Sequence, residues 1–193
     1  MTKDIDIRKS VLTELNQKYL NDSETMIIEE LGLCQGDARI DVAVVNGSIH
    51  GLEIKSDQDT LKRLPGQIEI YNKTLDRVTL VVGSKHFDQA VKIIPRWWGV
   101  TLATNISNKI KLRVNRKANS NPGLDPSAVV QLIWRDEALS ALKDRDLHRG
   151  FSNKPRSEIW NKLVTSLQTE ELLELVREIL KSRENWRSAL QPT

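Results

Sequence analysis

Hydrophobic positions along the chain change period several times, and each change marks an element. Between residues 6 and 20, Ile7, Val11, Leu12, Leu15 and Tyr19 recur at helical spacing, which predicts an amphipathic helix ended by "NDSET". "TMIIEEL" reads as a short strand and "GLCQGD" as a loop. "ARIDVAVV" and "SIHGLEIKS" are two strands on either side of Asn46-Gly47, a strong hairpin signal. Pro65 suits the first turn of a helix over "GQIEIYNKTL". "RVTLVVG" is a continuous apolar strand of the kind buried on both faces. "KHFDQAVKII" reads as a helix and "WGVTLAT" as a further strand. The predicted class is α/β, a mixed sheet with helices on its faces.

"RKANSNPGLDPS" (116–127) is rich in residues that break regular structure and reads as a linker. Three helical stretches follow, at 125–147, 155–167 and 169–186. The expected organisation is an α/β domain over 1–117 and a helical region over 118–193.

Composition adds bounds. The chain has 193 residues, of which 39% are apolar and 28% charged, as in ordinary globular proteins. No apolar run reaches the roughly 18–20 residues that span a bilayer. The N-terminus lacks the apolar segment of a signal peptide. A cytoplasmic location and no membrane partner are expected. One cysteine, Cys34, excludes an intramolecular disulfide and a multi-cysteine zinc site. The net charge of +3 is mild, but between positions 85 and 117 eight bases face one acid, Asp88. Such clustering suits phosphate, or else is a solvated rim. From this run Lys109, Lys111, Arg113, Arg116 and Lys117 are candidate nucleic-acid contacts, joined by Arg149, Lys154 and Arg156 of "HRGFSNKPR" and by Arg183 and Arg187. The helical tail can equally serve only to cover the sheet.

Within the hairpin, Glu53 and Lys55 share a strand face by alternation, while His50 points the other way. Asp41 interrupts an apolar strand, where a carboxylate needs a cation or hydrogen bonds. Register decides whether the two acids meet. A two-residue turn sets Asp41 opposite Leu52 and separates them. A type I turn with Gly47 in the left-handed bulge position sets Asp41 opposite Gly51, on the face of Glu53. That bulged turn, or a bulge elsewhere in the hairpin, is the expectation. Two carboxylates and the Ile54 carbonyl would suit Mg²⁺ or Mn²⁺. Lys55 would assist an attacking water.

Asp41 followed by "EIK" (53–55) resembles the PD-(D/E)XK nuclease superfamily over roughly the first 100 residues, with Ile40 where the naming proline would stand. "QIEIY", with Gln67 and Tyr71, is similar to the RecB-type branch. The resemblance implies a restriction-endonuclease-like core and Mg²⁺- or Mn²⁺-dependent cleavage of nucleic acid, most simply DNA, in repair, recombination or defence. It implies Asp41, Glu53 and Ile54 as metal ligands and Lys55 as catalytic. Glu14 or Glu30 would be an additional acid, and Gln67 and Tyr71 would position the site. Tyr71 can instead simply pack on the sheet, and Glu14 can be a solvated helix residue. The competing expectation is a non-catalytic nucleic-acid-binding module. Oligomeric state is left open, a homodimer being compatible.

Overall fold

The computed structural model describes residues 1–183. Helix α1 (Asp4–Lys18) precedes three strands, β1 (Met26–Leu33), β2 (Ala38–Val45) and β3 (Ile49–Lys55). Helix α2 (Leu64–Thr74), strand β4 (Arg77–Gly83), helix α3 (Phe87–Ile93) and strands β5 (Gly99–Ile106) and β6 (Lys109–Arg116) follow. Spatial order equals chain order, β1-β2-β3-β4-β5-β6. The β3–β4 and β4–β5 pairs are parallel and the outer pairs antiparallel. The two parallel pairs are those whose connections contain helices α2 and α3, as crossover geometry requires.

Each sheet face has its own core. On one side α1 lays Ile7 and Val11 over Val42, Val44, Leu52, Ile54 and Val81. On the other, α2 and the C-terminal helices pack on Ile40, Ala43, Leu80 and Val82. Alternating residues of β4 serve both cores, so its pattern is continuously apolar. Trp98 is fully buried against Tyr71, ring centroids 6.0 Å apart, and its indole N–H donates to Asn72 Oδ1 at 3.0 Å.

Strand β6 was not expected from the sequence. It closes a two-residue hairpin whose Ser107 and Asn108 both have positive φ (50° and 63°), and Ile106 pairs with Lys109. The tail forms helices α4 (Pro126–Val129), α5 (Arg135–Lys143), α6 (Arg156–Ser166) and α7 (Thr169–Ser182). The single helix expected over 125–147 is interrupted at Ile133 and Trp134, both extended. Val129, Ile133, Leu142, Leu163, Val176 and Leu180 belong to the same apolar cluster as the sheet. The segment read as a linker is pinned: Asn121 donates to the carbonyls of Asn72 and Leu75, each at 2.8 Å. Arg187 lies outside the described residues.

Candidate functional site

The β2–β3 turn differs from both registers considered. Val45 pairs with Ile49, leaving Asn46, Gly47 and Ser48 as a three-residue loop closed by Asn46 N–H to Ser48 O at 3.0 Å. Gly47 is not left-handed, so the bulge is absent from the turn; the break in alternation lies instead at Asp41, since Ile40 and Ala43 join one core and Val42 the other. Partner numbers sum to 94 as far as Val42–Leu52, where the ladder ends. Gly51 therefore faces Ala43 and leaves no room for a ligand: a Cβ there would lie 2.7 Å from Leu75 Cδ1. Leu75 and Ile40 already fill that space.

Regular pairing stops at Val42–Leu52, because Asp41 uses its carboxylate instead. Its Oδ2 accepts the Ile54 N–H at 2.6 Å, and its Oδ1 accepts Arg8 Nη2 at 2.6 Å. Arg8 Nη1 reaches the Asp41 carbonyl (3.0 Å) and Glu30 Oε1 (2.7 Å), while Nε faces Asp4 Oδ1 at 3.4 Å. Glu30 itself adopts the left-handed region, φ 58°. On either side of it Ile28 and Leu31 both join the same core, so β1 changes face at that point. Burial opposes the charge on Arg8, but Asp41, Asp4 and Glu30 outweigh it and raise its pKa. One guanidinium thus holds three carboxylates from α1, β1 and β2.

Glu53 lies on the α2 side of the sheet and is 1% exposed. Lys55 donates to its Oε1 from the same strand face. Gln67 Nε2 donates to Oε1 at 2.8 Å, and the Tyr71 hydroxyl meets Oε2 at 2.6 Å. Gln67 and Tyr71 come together because α2 sets residues four apart on one face. Burial pushes the Glu53 carboxyl above the usual carboxylate range, with Lys55 pulling it back. Burial, followed by the Glu53 charge, raises the Tyr71 phenol well above its ordinary value.

Asp41, Glu53, Ile54, Lys55, Gln67 and Glu30 line an open cleft of about 810 Å³. Tyr71 sits behind its wall. Glu14 does not reach it; it is exposed farther along α1, and Asp4 and Arg8 are the residues that α1 contributes near the acids. Both Asp41 oxygens are occupied by protein donors, as are both of Glu53. Arg8 and the Ile54 N–H take one lone-pair position on each Asp41 oxygen, so a divalent ion there would compete with the guanidinium. Among the described residues, no three His, Cys, Asp or Glu side chains are grouped to hold a metal. Arg8 was missed in the sequence because its partner Asp41 is 33 positions away.

The basic candidates divide into two sets. Arg116 donates to the carbonyls of Trp98 (2.7 Å) and Pro95 (3.2 Å). Lys154 pairs with Glu158 at 3.0 Å, and Arg156 bonds Gln35 and lies over the Trp160 ring. Arg183 pairs with Glu137. In contrast, Lys109, Lys111, Arg113, Lys117 and Arg149 are exposed, with no side-chain ion pair or hydrogen bond among the described residues. Ile110 and Leu112 of β6 pack toward α1, so Lys109, Lys111 and Arg113 project from the other face. They are directly opposite Ile106, Thr104 and Leu102 of β5.

The fold and its cleft define an α/β protein whose central carboxylates are already neutralised by its own cations. The chain matches the family described as Bacteriophage P4 protein cII over residues 2–191, and it belongs to that family. A relative, "Protein cII" of Enterobacteria phage P4, is 27% identical over 161 residues. That match takes in 83% of this chain and only 60% of the relative's length. No solved structure matches.

Family membership corrects the nuclease expectation. The matched span contains the whole Glu-x-Lys region, so those residues belong to a phage cII-type chain rather than a PD-(D/E)XK nuclease. Assignment as an endonuclease, hydrolase or Mg²⁺-dependent phosphodiesterase falls with it. The geometry offers a physical reason for the mistaken likeness: the acid near Glu-x-Lys is held here by protein donors, Arg8 and the Ile54 N–H. Among the described residues, no helix is long and apolar enough to cross a membrane.

Proposed function

We propose that this chain is a non-catalytic DNA-binding protein of the cytoplasm and that the β5–β6 ribbon is its contact surface. The observation carrying this reading is the row of unpaired cations Lys109, Lys111 and Arg113 on one face of the sheet's edge strand β6, whose hairpin with β5 runs past the end of the β4 pairing at Ala103. Residues two apart on a strand are roughly 7 Å apart, so the row is a linear positive track. Phosphate neutralisation by such a track releases counterions and favours binding. Only the tip from Thr104 to Lys111 stands clear of β4, and a two-stranded tip of that kind fits the B-form major groove, about 12 Å wide, whereas the A-form RNA major groove is too narrow for side chains to read. That favours duplex DNA as the partner. Asp41, Glu53, Lys55, Gln67 and Tyr71 serve as the joint that fixes α1 and α2 to the sheet, and the tail helices complete the core beneath α2.

Fluorescence anisotropy with a labelled duplex over a salt series tests the surface. The Lys109→Gln/Lys111→Gln/Arg113→Gln variant is expected to lower the slope of log K against log salt by about 2–3, near 0.9 for each lost contact. An unchanged slope, or a wild-type protein without salt-dependent DNA affinity, overturns the proposal.

A further inference from the structure

A second concavity, about 490 Å³, opens at the other end of β3 and β4, between the sheet and the C-terminal end of α1. Lys18 of α1, Arg77 of β4, Arg116 at the end of β6 and Lys117 line it. Its lining contains no Asp or Glu. None of the four cations has a carboxylate partner among the described residues. Arg77 makes only long contacts, to Ala118 O at 3.4 Å and Ser120 Oγ at 3.5 Å, and Lys18 Nζ hovers 4.7 Å from the Tyr19 ring centroid. Arg116, held by main-chain carbonyls, contributes its charge from a fixed position. Four like charges around one hollow repel each other, and the same potential concentrates anions there.

The lining is mixed: Val44, Leu52 and Val114 are apolar, and His50, Thr79 and Thr101 are polar groups among them. His50 Nε2 bonds Thr79 Oγ1 at 2.8 Å. Burial first, then Arg77 and Lys18, lower the His50 pKa to about 4, so its ring is neutral near pH 7. Thr101 supplies a further hydroxyl. The volume is that of a small-molecule pocket.

We propose that this groove binds the phosphate of a nucleotide unit, with Lys18 and Arg77 as the contacting donors. The source of that phosphate is either a free nucleotide or a nucleic-acid strand. This site shares no residue with the ribbon face of Lys109, Lys111 and Arg113 and does not rest on it.

The test follows the His50 and Thr79 NMR signals of the full chain during titration with pyrophosphate, AMP and a short single-stranded DNA. Each probe is added to the wild type, to Lys18→Gln/Arg77→Gln and to the ribbon variant. Binding is expected to shift both residues and to move the His50 titration upward, since an anion offsets Lys18 and Arg77. Removing each donor weakens binding by about tenfold or more, the usual worth of a charge-assisted hydrogen bond. Both altered side chains are exposed, so thermal melting stays unchanged. Response to pyrophosphate and AMP supports the proposal with a free nucleotide as source; response to DNA alone supports it with a strand as source. Unmoved signals with all three probes at millimolar concentration overturn it. So does an unchanged affinity in Lys18→Gln/Arg77→Gln, or loss of the response in the ribbon variant.

Discussion

The Asp41–Glu53 cleft and the β5–β6 ribbon both carry charged side chains but use them in opposite ways. In the cleft every key charge has a protein partner: Arg8 for Asp4, Glu30 and Asp41, and Lys55 for Glu53. On the ribbon Lys109, Lys111 and Arg113 have none among the described residues. Desolvated charges are tolerated only when paired, so Glu53 and Lys55, and the mostly buried Arg8 and Asp41, are committed to the fold, while Asp4 and Glu30 are half-exposed. Solvated, unpaired charges contribute little to stability and remain available to a ligand. Residue type alone does not separate the two cases, and pairing does.

The contrast can be broken by mutation. Glu53→Ala has the largest expected effect, because it strands Lys55, which is 5% exposed, and removes an acceptor from Tyr71 and Gln67. A loss of about 3–5 kcal/mol in denaturant unfolding is expected. Pairing Glu53→Leu with Lys55→Met should recover most of it, because an apolar pair leaves no buried charge unmatched. Arg8→Ala comes next: it leaves Asp41 without its cation, at 18% side-chain exposure, and should cost about 2–4 kcal/mol in the same measurement.

His50 gives a smaller, pH-dependent effect. Unfolded, it takes up a proton near its ordinary 6.5; folded, only near 4. Between those values the unfolded chain binds more protons, so this contribution rises with pH and is complete above about 6.5. It is lost as pH falls through 4, and amounts to at most about 3 kcal/mol. Glu53 acts with the opposite sign: its raised pKa favours the fold below the ordinary carboxylate value and loses that contribution as pH rises through the folded value. Subtracting the stability–pH curve of His50→Gln from that of the wild type isolates the histidine. The smallest effect belongs to the metal: Mg²⁺ or a chelator should leave the melting temperature unchanged, because Arg8 holds the position beside Asp41.

Much of the fold was legible because periodicity was strong. The stripe of α1, the doubly buried β4 and Pro65 at the start of α2 all lie where the pattern puts them. Strand β6 was overlooked although Ile110, Leu112 and Val114 alternate with Lys109, Lys111 and Arg113 after a Ser-Asn turn. There, a count of basic residues masked a period of two. The three-residue loop at Asn46–Ser48 was missed because Asn-Gly favours a shorter turn without enforcing it. That Glu53 shares a face with Lys55, and Gln67 with Tyr71, could be read from spacing; that both pairs gather near Asp41 was implied only by the family resemblance. Their chemistry could not be read, because it depends on Arg8 arriving from a helix 33 residues away.

The most direct test crosses two variants with two measurements: duplex-binding salt slope and thermal melting, for Arg8→Ala and for Lys109→Gln/Lys111→Gln/Arg113→Gln. The expected result is a double dissociation. Arg8→Ala melts earlier and keeps its slope where still folded, while the ribbon variant keeps its melting temperature and loses about 2–3 from the slope. If the ribbon variant keeps its slope while Arg8→Ala loses it, the cleft and not the ribbon is the binding surface, and the division between committed and available charge is wrong.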